Sequence, residues 1–313
     1  MKYLTYILRR LVTLIPVLFG ISLLAFFLIH LVPGDPAVTL LGTHATTQAV
    51  AALHKQLGLD KPLWSQYVTF LDHLFHGNLG QSYQYQTSVT SLIRPDIAPT
   101  LWLIVVGALF AVVIAVPLAV WAAYRRNGVA DNAIRTIPMI GMGLPAFWVG
   151  IMLVLLFSLK LKAFPTTGFG DGFGNHVKSI ILPALTVALA LVPILIRSLR
   201  ASMINVLQAD YIVTAQAKGL SSTRVVLGHA LRNAAISSVT VLGVNIAYLI
   251  GSTVVVERVF SLNGVGLLMI NGILQRDFPV VQGVTLLFAI LVVAVNLLTD
   301  IAHAALDPRV RLA

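Results

Sequence analysis

The 313-residue sequence contains no cysteine, and only 10% of its residues are charged. The first absence excludes a disulfide framework, a thiolate metal site and a cysteine nucleophile. The second excludes a water-exposed globule, since an average soluble domain carries about 25% charged residues. Acidic side chains are the scarcer sign, 11 against 21 Lys and Arg. Apolar residues fill the place of the missing charge, making up 58% of the chain at a mean hydropathy of +0.91. A chain of this composition belongs in a bilayer.

Six apolar stretches are long enough to cross about 30 Å of hydrocarbon as helices rising about 1.5 Å per residue. They are Leu11–Val32, Leu101–Tyr124, Thr136–Leu159, Ser179–Ile196, Ile236–Val256 and Val281–Thr299. Arg9 and Arg10 precede the first, but it is too long for the apolar region of a secretory signal and reads as a retained anchor. Prolines 16, 117, 138, 145, 183 and 193 fall within the spans, where membrane helices tolerate them as kinks.

The charges lie in the connections and divide unequally between the two sides. Segments 1–10, 125–135, 197–235 and 300–313 hold 13 Lys and Arg with 4 acids, whereas 33–100, 160–178 and 257–280 hold 8 with 7. Cytoplasmic loops carry the excess of Lys and Arg, so both termini are expected in the cytoplasm. No span contains Asp, Glu, Lys or Arg, and His30, near the end of the first, is the one titratable imidazole. Ion-coupled carriers bind their driving ion near the midplane through such groups, which argues against a self-sufficient secondary carrier. An integral-membrane enzyme is disfavoured in the same way. The chain has no Gly-x-Ser-x-Gly, no His-Glu-x-x-His and no aspartate pair within a span. It also lacks Gly-x-x-x-x-Gly-Lys-[Ser/Thr], so any nucleotide-driven motor must be a different chain.

The 39-residue loop between the fourth and fifth spans reads as helix, glycine break, helix. Asp210 is placed to cap the first helix, Lys218 to meet the negative end of its dipole, and Gly219 to take the left-handed position that stops it. Ser221 or Ser222 can cap the second. Tyr211, Ala215 and Gly219 recur at i, i+4 and i+8, a small-residue side open to close approach by a partner. Arg197, Arg200, Lys218, Arg224 and Arg232 would equally suit a helix resting on lipid headgroups.

The loop ADYIVTAQAKGLSSTRVVLGHALRNA, Ala209 to Ala234, resembles the conserved cytoplasmic EAA loop of bacterial ABC importer permeases in its peptide-permease version. Gly219 matches the motif's glycine and Ala215 one alanine; Val213 stands at the glutamate position and Thr214 at the other alanine. The resemblance spans nearly the whole chain. Ile7 to Pro36, Gln56 to Tyr67, His76 to Ser82, Gly143 to Val154, Arg276 to Gly283 and Asn296 to Arg311 are all similar to B-type subunits of dipeptide and oligopeptide importers. Asn263 stands where many of those subunits have proline.

The resemblance implies an all-α, polytopic membrane protein of the type I ABC importer permease class, with six transmembrane helices. It divides into a tail and first span (1–32), an external helical subdomain (33–100) and a five-helix core (101–313) whose coupling loop is 197–235. It further implies a non-enzymatic subunit forming half of a heteromeric pathway for di- and oligopeptides, with glutathione and nickel chelates as alternatives. The implied partners are a second homologous permease subunit, two ATP-binding subunits, an extracytoplasmic substrate-binding protein and membrane lipid, with no nucleic acid. The implied location is the bacterial inner membrane. No cofactor is expected in this chain, ATP and Mg being held by the partner subunits. The residues implied to couple to the ATPase are Asp210, Tyr211, Thr214, Ala215, Ala217, Lys218, Gly219 and Leu220.

Three further clusters invite a role. His73 and His76, at i, i+3 with His44 and His54 in the same loop, have a spacing that can bind a transition metal, although only Asp72 is in register to complete a site. Asp300 and Asp307 with Arg309 and Arg311 can pair at the membrane exit or meet the ATPase. Glu257 and Arg258 can pair with one another outside the fifth span.

Overall fold

A computed structural model describes residues 2–31, 35–42 and 45–306, and they are helical almost throughout. Four short or apolar-led helices come first: α1 (Lys2–Leu31), α2 (Pro36–Leu41), α3 (Thr47–Leu57) and α4 (Leu63–Phe75). The long α5 (Val89–Tyr124) follows, then α6 (Val129–Met142) and α7 (Ala146–Leu153), which continues as π-helical turns over Val154–Lys160. Next come α8 (Phe173–Leu207), the short α9 (Asp210–Ala217), and α10 (Leu231–Phe260), led by π-helical turns over Arg224–Ala230. The short α11 (Val265–Leu274) and the long α12 (Phe278–Leu306) close the described chain. Among the described residues no strand forms beyond an isolated bridge between Gln81 and Ser88.

Among the described residues, four helices are long and apolar enough to cross a membrane: Val89–Tyr124, Phe173–Leu207, Arg224–Phe260 and Phe278–Leu306. Each contains one expected span and overruns it. Hydropathy marks only the apolar middle of a helix, whereas backbone hydrogen bonding carries the helix into polar sequence. The subdomain boundary expected at residue 100 thus falls inside α5, whose first residue is Val89.

The expected third span, Thr136–Leu159, is two helices bent by 102°. The break lies at Gly143-Leu144-Pro145, with Pro145 as the N-cap of α7. Steric clash with the proline ring disfavours helical backbone at Leu144, so α6 ends before it. The other span prolines sit inside continuous helices. In the first expected span, the apolar part of the described helix is Val12–Phe27.

The core is built on α8, which lies between α5 and α10 and is the most enclosed of the long helices. Ala111, Ala115, Ala119 and Ala122 form one buried face of α5 at i, i+4, i+8 and i+11. In line with them, a Cβ on Gly107 would lie 2.8 Å from Val187 on α8. Lipid gives apolar side chains no reason to leave it, so helices associate through close backbone approach at small residues. The α10–α12 crossing follows the same rule, with Gly243 facing the Thr299 side chain so closely that no Cβ fits. At one end of the bundle lie the turns 125–128 and 208–223, here the near end; at the far end lie 76–88, 161–172 and 261–277.

Candidate functional site

At the near end, α9 is seated by one side chain. Ile212 is fully buried against Leu199 and Met203 of α8, Val225, Val226 and Ala230 of the following π turns, and Ala119 and Ala123 of α5. Ala215 and Leu220 are half-buried against the same cluster. Gly219 takes φ +79° and donates its N–H to the Gln216 carbonyl (2.9 Å), while Leu220 N–H reaches the Ala215 carbonyl (3.3 Å). The chain therefore turns sharply enough for Leu220 to fold back beneath α9, with glycine at the one position where a left-handed backbone is required.

The opposite surface is bare. Asp210, Tyr211, Val213, Thr214, Ala217, Lys218 and Gly219 are exposed. Tyr211 makes one polar contact, accepting from Asn233 Nδ2 at 3.2 Å, and Thr214 Oγ1 donates to the Asp210 carbonyl at 3.0 Å. Several sequence expectations change here. Ala209, not Asp210, is the N-cap, and Asp210 sits in the first turn with no capping hydrogen bond. Lys218 is the C-cap residue and stays at the negative end of the helix. Tyr211 and Ala215 do not share a free side, because Ala215 turns toward the cluster that holds Ile212.

Next to this platform lies an ion pair the sequence did not reveal. Asp131 of α6 is fully buried and takes a two-pronged contact from Arg200 of α8, Nε to Oδ1 at 2.5 Å and Nη2 to Oδ2 at 2.6 Å. The Asn127 N–H adds a third bond to Oδ2 at 2.9 Å. A guanidinium fork matches both carboxylate oxygens, fixing orientation as well as distance. It ties the start of α6 to the end of α8.

Two buried carboxylates organise the far end, and neither uses a cation. Glu257 accepts the Thr100 hydroxyl at 2.6 Å and the Leu267 N–H at 2.9 Å, while Thr100 Oγ1 accepts the Val265 N–H. Gly264 packs so closely on this carboxylate that it has no room for a Cβ. Glu257 thus caps the start of α11 and does not pair with the exposed Arg258. Asp277 accepts the Ser82 hydroxyl (2.5 Å) and the Tyr83 and Gln84 N–H groups (3.1 and 3.2 Å), pinning the 82–88 turn to the start of α12. Burial, with the Asp277 charge second, pushes the Tyr83 phenol up to about 12.

Asp277→Ala would leave the buried Ser82 hydroxyl without its acceptor, at about 1–3 kcal/mol, and release the Tyr83 and Gln84 N–H groups. The turn is expected to open and chymotrypsin to cut after Tyr83 or Tyr85, which it spares in the parent protein. Equal resistance in both would show that the turn is held by other contacts.

A cleft of about 630 Å³ opens beside this turn, lined by Lys55, Lys61, His73, Tyr83, Phe70 and Gln282 among others. The histidines do not assemble. His73 faces the cleft, His76 Nδ1 meets the Asp72 carbonyl at 2.8 Å, and His54 Nε2 meets Asp35 at 2.7 Å. The hydrogen bond from His54 holds the Asp35 carboxyl below the usual carboxylate range. Among the described residues no three His, Cys, Asp or Glu side chains converge as a metal site would need. His44, Asp307, Arg309 and Arg311 lie outside the described residues, as does the His30 side chain.

The long apolar helices, with a small helix seated on one end of the bundle, make this a polytopic membrane-type fold. Residues 115–312 match the family described as binding-protein-dependent transport system inner membrane component, and residues 3–104 match its N-terminal family. The chain belongs to this family and is a membrane-embedded permease subunit of an ABC importer, a component of a larger transport complex. It is 39% identical over 308 residues to the glutathione transport system permease protein GsiC of Escherichia coli strains CFT073 and K12 and of Salmonella choleraesuis SC-B67. Those matches cover 98% of this chain and 99% of each relative. The fold is shared with an inward-facing structure of the MetNI methionine ABC transporter, with a TM-score of 0.58 at 19% identity, covering 69% of this chain and 96% of that one.

Proposed function

We propose that this chain forms half of the pathway of an ATP-driven importer for short peptides in a bacterial inner membrane, paired with a second homologous permease subunit. On this reading the chain crosses the membrane six times, with α1 and the bent α6–α7 pair completing the four long helices. Both termini and α9 then face the cytoplasm, and the far end faces outward. The exposed surface of α9, from Asp210 to Gly219, receives one of two ATP-binding subunits, which hold the ATP and Mg. A substrate-binding protein delivers peptide at the far end. The chain itself catalyses nothing.

The observation that carries this reading is the seating of α9. Ile212, Ala215 and Leu220 join it to α5, α8 and α10 at once, while its outer surface stays free. Force applied to that surface is transmitted to three long helices, because close-packed interiors move as bodies rather than deform.

Reconstitution tests the proposal. The chain alone in liposomes should take up no labelled dipeptide, whereas the full set of subunits with ATP and binding protein should accumulate it. Accumulation by the chain alone would overturn the assignment. A second reading, glutathione as substrate, draws on the 39% identity to glutathione permeases. Under it, unlabelled glutathione would suppress uptake at concentrations where dipeptides do not.

A further inference from the structure

The amphipathic helix α4 has an apolar side that the described chain leaves largely uncovered. Trp64, Val68, Leu71 and Phe75 recur at i, i+4, i+7 and i+11, which places them along one line of the helix. Leu71 is half-buried, and the others are exposed: Trp64 72%, Val68 56% and Phe75 86%. Beside that line, Tyr67 and Phe70 pack on α1. The Tyr67 ring lies 5.9 Å from Phe19 and 5.3 Å from Phe26, its hydroxyl is 2.8 Å from Ser22 Oγ, and Phe70 lies 5.9 Å from Phe26. The remaining arc is polar, with Asp72 and His76 exposed, Ser65 half-buried, and Gln66, Thr69 and His73 lining the cleft.

The depth of α4 follows from its anchor. Gln282 Nε2 donates to the Ala25 carbonyl at 3.1 Å, so residue 25 of α1 is level with the residue at which α12 begins its apolar run. Since Tyr67 and Phe70 grip α1 at Ser22 and Phe26, α4 lies at the membrane boundary and not above it. Beside the stripe, Tyr67 packs edge-on against Phe19 of α1, itself 53% exposed, so the apolar surface continues from α4 toward α1. Asp72 and His76 lie on the exposed polar arc next to the stripe, so with that arc in water Trp64 and Phe75 are placed to meet lipid.

We infer that α4 is a monotopic interfacial helix whose Trp64, Val68, Leu71 and Phe75 insert into the acyl-chain boundary of the leaflet at the far end of the bundle. Helices of this kind bury an apolar face about 5–10 Å into that zone, and tryptophan favours it because its ring is apolar and its N–H polar. The bilayer would then hold α4 in place, and with it the floor of the cleft that Gln66 and His73 share with Lys55 and Lys61.

The absence of cysteine allows single nitroxide labels at Trp64→Cys, Val68→Cys, Phe75→Cys and, on the polar arc, Thr69→Cys. They are read in the complete transporter, with cysteine-free partners, in phosphatidylglycerol–phosphatidylethanolamine nanodiscs. The ratio of collisions with oxygen to collisions with a water-soluble nickel chelate should be several-fold higher at 64, 68 and 75 than at 69. Nickel-dominated collisions at 64 and 75 would place the stripe in water and overturn the inference. Protection from both reagents, with or without the binding protein, would assign the stripe to a protein partner and overturn it equally. The measurement reports depth whichever way the chain is oriented, so it fails or succeeds independently of the transport reading.

Discussion

Replacing Arg200 with methionine is expected to destabilise the permease by about 3–5 kcal/mol, the cost of breaking a buried ion pair from one side. The Asp131 carboxylate is fully buried and Arg200 nearly so. Its other supports, the Asn127 N–H and the more distant Arg135 charge, do not replace the guanidinium fork. Methionine keeps the unbranched stem and its packing but removes every donor. The control is the double variant Asp131→Leu with Arg200→Met, which removes both charges together. Buried pairs replaced by apolar side chains of similar volume are often neutral, so the double variant should regain most of the loss. Thermal unfolding of the three proteins in one detergent decides the matter. If Arg200→Met melts with the parent, the pair does not hold α6 to α8, and the turn at Asn127 must be fixed by other contacts.

The sequence carried some of these features openly and hid others for a physical reason. Hydropathy located the long helices α5, α8, α10 and α12, because burial in lipid is written in each segment's own composition. Gly219 announced the end of α9, since only glycine takes φ +79° without strain. The break in the third span was also visible, as Gly143-Leu144-Pro145, but hydropathy averaged over the window ran straight through it.

The polar contacts that fix the ends of the bundle were not legible. Asp131 meets Arg200 across 69 positions, Thr100 meets Glu257 across 157, and Ser82 meets Asp277 across 195. A single sequence holds no signal that joins residues so far apart, and neighbours in the chain mislead. Glu257 stands next to Arg258, yet it turns inward to hydroxyl and backbone donors. The apolar spacing of α4 is written in its sequence, but which part of that arc α1 covers depends on the fold.

Gly219→Pro should abolish ATP-driven uptake while leaving the chain inserted in the membrane. Proline fixes φ near −65° and has no N–H, so it can neither adopt the +79° of this position nor donate to the Gln216 carbonyl. The turn that brings Leu220 beneath α9 must then unwind. Ile212 still anchors the helix, and the long helices do not depend on the turn, so insertion and yield should persist. Because this variant disturbs local structure, a second one isolates the outer surface. Val213 is 58% exposed and points away from the cluster, so Val213→Asp costs the isolated chain little. Against an ATP-binding subunit it would bury an unpaired carboxylate, and an uncompensated charge of this kind costs about 3–5 kcal/mol, enough to reduce association at least a hundredfold. Uptake and the binding-protein-stimulated ATPase rate, measured on the reconstituted complex, should both fall in Val213→Asp while the chain's own melting temperature stays put. Wild-type uptake in both variants would mean that this surface receives no partner, and that α9 is only a strap joining α8 to α10.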